Sequence, residues 1–404
     1  MLDNGKAEGV RKIKQIEKYC LRDIAIVSQG FTFSRSYQGK KNLKWNYFKV
    51  ADIGINPNSK YLTNAINTIS DITMEEIGAL PFPKGSIVFP RVGAALFNNN
   101  KKILAQDGVV DDNVLVLTVT DTSKCWHEFL YYYLQGIPLA KWCNSGLVPV
   151  INTKTVLSQM VFLPPLPEQQ KIAAILSTQD KVIELKEKLL AQKQQQKKYL
   201  MQQLLTGKKR LPGFDRKWNY VKANEIFKSI VDKSYDGKLE VLSSTQDKGI
   251  VPRSQVDIDI KYNENSLSTY KKVCEGDFVI SLRSFQGGIE YSNYAGIVSP
   301  AYTVLRAIVK IDAGYYKQFF KSSNYIKRLN VAVYGIRDGK QISYDDFGQI
   351  KIPVPPIEEQ REVAKMLSTA DHEIDLLQKS IEAEKQKKKA LMQLLLTGKV
   401  RVKI

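Results

Sequence analysis

The chain has 404 residues, 43% of them hydrophobic and 10% aromatic, which is room for two ordinary domains with real cores and excludes a disordered chain. Its formal charge of +19 points to a polyanionic partner, nucleic acid before an anionic membrane surface. No stretch approaches the roughly 20 apolar residues of a bilayer span. The N-terminus has no apolar signal core, and four scattered cysteines without a CxxC pair read as free thiols of a reducing cytoplasm.

Residues 1–162 form the first block, built of short β-prone runs broken by Gly, Pro, Asn and Asp. Within it, KGSIVFPRVGAALFN (84–98) predicts a hairpin, NVLVLTV (113–119) a buried strand and HEFLYYYLQG (127–136) a helix. A last strand, VFLP, runs into Pro164-Pro165. Residues 163–211 then predict one long helix. Residues 212–353 repeat the frame: a hairpin over 275–289, a strand in AYTVLRAIV (301–309), a helix in YYKQFFKSS (315–323) and a last strand, IKIP. Residues 354–404 predict a second long helix. The four blocks carry net charges of +6, +6, +5 and +2, so the excess sits on folded surfaces and not in a basic tail.

The two helical blocks are copies of each other at an offset of 191 residues with no gap. PPLPEQQKIAAILSTQD (164–180) matches PPIEEQREVAKMLSTAD (355–371), and KKYLMQQLLTGKKR (197–210) matches KKALMQLLLTGKVR (388–401). That period is far beyond a solenoid unit, so it implies duplication of a whole module. Each helix starts after a Pro-Pro break, carries acid in its first turn (Glu168; Glu358 and Glu359) and stops at Thr-Gly. From Glu168 to Thr206 the rise is roughly 58 Å. Apolar residues recur at alternating spacings of three and four, with polar seam positions near the middle: Gln179, Lys186, Lys193 and Lys197 in the first copy, Glu384 and Lys388 in the second. The intervening domain must return the chain, so an antiparallel helix pair is expected. The alternative is two amphipathic helices docked on separate cores.

Catalytic signatures are missing. The two histidines, His127 and His372, have no triad context. The chain lacks the Asp/Asn-Pro-Pro-Tyr/Phe tetrapeptide of amino-methylating enzymes, any Gly-rich phosphate loop, and the P-loop context for its Gly-Lys pairs. The carboxylates of ELKEK (184–188) read as a solvated helix face.

Two variable β-rich domains alternating with two helices, each helix opening Pro-Pro-Leu/Ile-x-Glu-Gln and closing Leu-Leu-Thr-Gly-Lys, resemble the specificity subunit of type I restriction-modification systems. The resemblance covers essentially the whole chain. It implies an α+β fold: two globular target recognition domains joined by two long antiparallel helices as a coiled-coil spacer, with a pseudo-twofold internal repeat. It implies that each domain reads one half of a bipartite, asymmetric site in double-stranded DNA. The helices would set the gap and dock two methyltransferase subunits, with restriction subunits joining them. The chain would then have no catalysis and no cofactor of its own, S-adenosylmethionine, ATP and Mg belonging to its partners, in the cytoplasm. One departure is that the second domain opens with Trp218 in RKWNYVKANEIF, whereas the first opens with CLRDIAIVSQGF and lacks that Trp.

Reading bases needs Asn for adenine, Arg for guanine and Lys for phosphate. In the first domain the candidates are Arg91, Asn98, Asn99, Asn100, Lys101 and Lys102, with Asn152 and Lys154 in SGLVPVINTK (145–154). In the second they are Arg283, Ser284 and Gln286, then Arg337, Lys340 and Gln341 in YGIRDGKQIS. An Asn-rich turn chosen for backbone conformation explains 98–100 equally well. Arg337→Ala is expected to relax preference in one half-site only. Lys197-Lys198 and Lys387-Lys388-Lys389 are open between DNA tracking, solvated faces and partner contacts. Ile172, Ile175, Val363 and Met366 are candidates for subunit docking or for completing the internal pairing. One helical turn added after Lys193 is expected to change the gap and not the half-site sequences.

Overall fold

The computed structural model describes residues 16–403 except 56–58, 145, 147, 235, 236, 238, 257–263 and 333–341. It divides into two compact units that do not follow the chain order. Unit 1 comprises residues 1–188 and 379–404, and unit 2 comprises residues 189–378. Each unit therefore holds one β-rich domain, the first half of the long helix that follows it, and the second half of the other long helix.

In unit 1 the main sheet has five strands in the order Ala25–Gln29, Val114–Val119, Ile87–Pro90, Lys102–Leu104, Tyr61–Leu62. Strands Ile87–Pro90 and Val114–Val119 are apolar runs in the interior of the sheet, as expected where both faces are covered. The helix His127–Gln135 and the long helix Leu166–Leu204 cover one face. Leu115, Leu117 and Phe89 meet Phe129, Tyr132, Ile172 and Leu176 there, and Leu395 of the second long helix completes the same core. The expected hairpin over 84–98 is a strand followed by a single-turn segment, Ala94–Asn98. The strand's antiparallel partner is Lys102–Leu104, so the connection is longer than the sequence suggested.

Unit 2 repeats this order with four strands: Phe227–Ile230, Thr303–Ala307, Phe278–Ile280, Glu290–Tyr291. Its covering helix is Ala313–Phe320, and its core joins Phe227, Phe278, Tyr316 and Phe320 to Val363 and Leu367 of the second long helix, Ile357–Leu395. Each domain is closed by a two-stranded ribbon of its first and last strands. Glu17–Cys20 pairs with Met160–Leu163, and Asn219–Lys222 with Lys351–Val354, both antiparallel. The first described strand, EKYC, ends at Cys20, where CLRDIAIVSQGF begins.

Within each unit the two helix halves run antiparallel, and the polar seam positions explain themselves. In unit 1, Lys186 reaches Glu384 at 2.8 Å, Gln179 donates to Glu384 at 2.7 Å, and Lys388 reaches Asp180 at 2.5 Å. In unit 2, Lys193 pairs with Glu373 at 2.8 Å and Lys197 with Asp371. Residues that weaken an apolar seam instead fix its register by complementary charge. Among the described residues, no helix is long and apolar enough to cross a membrane.

Candidate nucleic-acid interface

Unit 1 brings its two candidate segments together. The loop after strand Ile87–Pro90 lies beside the segment 143–152: Ile151 N donates to Arg91 O at 2.9 Å and Gly93 N to Pro149 O at 3.0 Å, with a bridge between Val92 and Val150. A second bridge joins Cys143 to Ile151. Gly93 has φ +81°, a conformation side chains rarely adopt, and it turns the chain into the Ala94–Asn98 segment. Arg91 is half-buried, its Nη1 donating to Asp112 O at 3.3 Å. Asn98 is exposed and Asn100 half-buried. Asn152 is exposed, but its side chain caps the helix Thr153–Leu157 by accepting from Lys154 N at 2.9 Å; Lys154 is exposed.

Three residues of the Asn-Lys run serve the fold and not a ligand. Asn99 is left-handed at φ 52°, and its Oδ1 accepts from Leu139 N at 3.0 Å and Lys101 Nζ at 2.6 Å. Lys101 is buried, also donating to Ile137 O at 2.9 Å. Lys102 opens a strand, is buried, and donates to Ser59 O. As phosphate contacts Lys101 and Lys102 are therefore corrected: the sequence shows their charge but not that the strand starts under it. Burial pushes the Lys101 ammonium down to about 7 and Lys102 to about 8. A lysine depressed in the folded state contributes stability that is present above its unfolded pKa and lost as pH falls through the folded value. Lys101→Met should therefore flatten stability between pH 10 and 7 by about 1–3 kcal/mol, the two carbonyl acceptors limiting the effect. Urea titrations of both proteins across that range check it, and parallel pH profiles would contradict it.

In unit 2, Arg283 and Gln286 are exposed around a one-turn helix, Ser284–Gly287. Ser284 is buried, its Oγ accepting from Ser281 N at 2.9 Å, which corrects it from base reader to turn lock. Arg337, Asp338, Lys340 and Gln341 lie outside the described residues.

The strongest signal in the sequence, the repeated helix ends, builds a joint in each unit. Glu168 is buried and takes a two-pronged contact from Arg401, at 2.8 and 2.6 Å; Glu359 takes the same from Arg210, at 2.6 Å twice. Hydrogen bonding from Arg401 holds the Glu168 carboxyl below its ordinary range. The following glutamines lock helix to domain. Gln169 accepts from Trp126 N at 2.8 Å and donates to Lys124 O and Pro164 O, while Gln360 accepts from Asp312 N at 2.9 Å and donates to Pro355 O. Glu168 and Glu359 stand in the first turns of their helices, as expected, and there also bind these arginines.

Each joint has a glycine at positive φ: Gly207 (+69°) lies under the Trp218 ring and Gly398 (+71°) under Ile16. Ile16 is thus the unit 1 counterpart of Trp218, a match the sequence hides because the side chains differ. Trp218 Nε1 also donates to Glu359 at 2.8 Å; in unit 1 the backbone N of Val402 takes that place on Glu168. A Cβ on Gly398 would stand 2.3 Å from Ile16 Cδ1. Gly398→Ala should cost about 1–3 kcal/mol through the left-handed backbone and that overlap, read as a lowered urea midpoint at constant slope.

Two docking candidates are corrected. Ile172 and Val363 are buried in the cores of their own units, and Ile175 packs on the same core as Ile172. Met366 is 40% exposed and lines a groove of about 410 Å³ in unit 2 with Lys365, Thr369 and Leu200. On the helices, Lys197 and Lys388 are engaged with Asp371 and Asp180, whereas Lys198 and Lys389 are exposed.

Residues 13–194 and 215–385 each match the type I restriction modification DNA specificity domain. A putative type I restriction enzyme MjaX specificity subunit of Methanocaldococcus jannaschii is 25% identical, covering 98% of this chain and 94% of its own. The MjaVIII specificity subunit of the same organism is 29% identical over 76% and 77%. The fold is shared with the S subunit of the type I restriction-modification system of M. genitalium, with TM-score 0.59, 14% identity and coverage of 96% and 97%. It is also shared with a chain from a structure on complex assembly and conformational transition of the type I R-M system, with TM-score 0.57, 16% identity and coverage of 95% and 97%.

Proposed function

The chain belongs to the type I restriction-modification DNA specificity family, and we propose that it directs its complex to a bipartite, asymmetric site in double-stranded DNA, each domain reading one half. One observation carries this reading. The two units repeat strand order, covering helix and helix joint, yet their surface loops differ in length and sequence. Equal frames with unlike loops suit two readers of different half-sites. Phosphate contacts would fix register while base-edge contacts specify, and the charge of +19 supplies the sequence-independent attraction.

The helix pair would set the gap and dock two methyltransferase subunits, the repeat offering each copy an equivalent surface. Restriction subunits would join that assembly in the cytoplasm. Catalysis, with S-adenosylmethionine, ATP and Mg, would lie on those partners.

The test is to co-purify the chain with its methyltransferase and select bound duplexes from a randomised library. Two short specific halves around a fixed unread gap are expected. A single continuous motif would refute two-domain reading, and no enrichment would refute DNA specificity altogether.

A further inference from the structure

On the paired loops of unit 1, two large apolar side chains stand in solvent: Phe97 at 69% and Val148 at 58% exposure. They sit on segments about 50 residues apart in sequence that the backbone bonds between Arg91 and Ile151 and between Gly93 and Pro149 hold together. Phe97 lies in the Ala94–Asn98 segment, whose C-cap, Asn99, is fixed by Lys101 and Leu139. Val148 lies between Cys143 and Ile151, which an antiparallel bridge joins. Both segments are therefore tied to each other at their bases, which limits the ordering left to do when something binds.

The charge around them selects the occupant. Residues 91–102 and 143–154 contain no Asp or Glu. Among the described residues their exposed polar side chains are Asn98, Asn144, Asn152 and Lys154, with half-buried Arg91 and Asn100 at the edge. Asp112 is met by Thr32 at 3.1 Å and by Asn113 at 2.8 Å, and the acids that share a pocket with Asn99 and Asn100, Asp180, Glu184 and Glu187, are paired with Lys388, Lys188 and Lys385. Linked loops that carry amides, cations and exposed apolar side chains fit a nucleic acid, whose grooves offer acceptors at the edges and apolar contact at base faces and thymine methyls.

We infer that Phe97 and Val148 are specificity-determining residues of the first domain, making apolar contact with bases of its half-site. This rests on the bipartite-reader assignment above and adds the surface used and its chemistry. Arg91, Asn98 and Lys154 flank that contact. Two sources give the same chemistry. A thymine methyl would be touched in the major groove, or a base step would open to admit the Phe97 ring.

The experiment uses the full chain with its methyltransferase. Wild type, Phe97→Ala/Val148→Ala and Phe97→Leu are each offered the randomised duplex library and then the selected duplex. The double variant should bind that duplex roughly tenfold more weakly and lose preference at one or two positions of one half-site. The other half-site and the thermal midpoint should be unchanged, because both residues are exposed, and Phe97→Leu should keep most of the preference. If uracil in place of thymine in that half-site reproduces the loss, the methyl is the contact. If 2-aminopurine there brightens on binding wild type only, the ring opens a step. An unchanged motif and affinity in the double variant, with wild type selecting two halves, overturns this inference alone. Loss of methyltransferase co-purification would overturn it too, by making the surface a protein contact. A wild type that selects no two-part motif overturns the assignment and this inference together.

Discussion

Glu359→Ala should destabilise unit 2 by about 3 kcal/mol, among the largest effects of any single replacement outside the apolar cores. Glu359 is 1% exposed, and three donors converge on it: Arg210 Nε and Nη2, both at 2.6 Å, and Trp218 Nε1 at 2.8 Å. Removing the carboxylate leaves the indole N–H without its acceptor and the guanidinium, partly out of water, with its Nη1 contact to Arg216 O at 2.8 Å, and that desolvation is the cost. Arg210 keeps some access to solvent, which holds the loss below that of a wholly buried pair. Arg210→Lys should also lose stability, because an ammonium cannot make the two-pronged contact. Urea unfolding followed by tryptophan emission checks both, since Trp218 sits on the joint. A shift below about 1 kcal/mol for Glu359→Ala would mean that the contact is no stronger than a surface ion pair.

The same joint marks what was legible in the sequence. Glu168, Gln169, Gly207 and Arg210 recur as Glu359, Gln360, Gly398 and Arg401, so duplication was plain and so was its architecture. How the parts connect was not. The arginine of each copy closes on the glutamate of the other copy, so each unit takes helix from both repeats. Periodicity along one chain carries no information on that exchange. Ile16 was invisible for a related reason, since its equivalence to Trp218 lies in the glycine beneath it and not in its own side chain.

Among the candidate readers, charge and amide content did not show which side chains reach solvent. Lys101, Lys102 and Ser284 point inward because a strand begins, or a turn closes, at those positions. Phe97 and Val148 went unremarked because apolar residues in a β-rich block are ordinarily read as core. Their exposure shows only once the fold is known.

The helix pair yields the second large effect, on the unread gap of the selected site. Four residues added after Lys193 of the first helix should be matched by four after His372 of the second. The Lys193–Glu373 pair then stays on one side of both insertions and Lys197–Asp371 on the other, so each keeps its partner. An insertion in the first helix alone would shift one set of partners by a turn and break them. Four residues turn a helix by about 400°, a net 40°, and lengthen it by about 6 Å. One base pair turns DNA by about 35° and lengthens it by about 3.4 Å. The rotation matches one added base pair almost fully, leaving roughly 2.6 Å of rise to be absorbed by tilt. Three base pairs would suit neither quantity, adding about 105° and 10 Å. The doubly extended chain should therefore select the same two half-sites around a gap longer by one base pair, with affinity for the original gap lost. Selection of an unchanged gap would show that the helices do not space the readers. Changed half-sites would show that the insertions had disturbed the domains and not the distance between their targets.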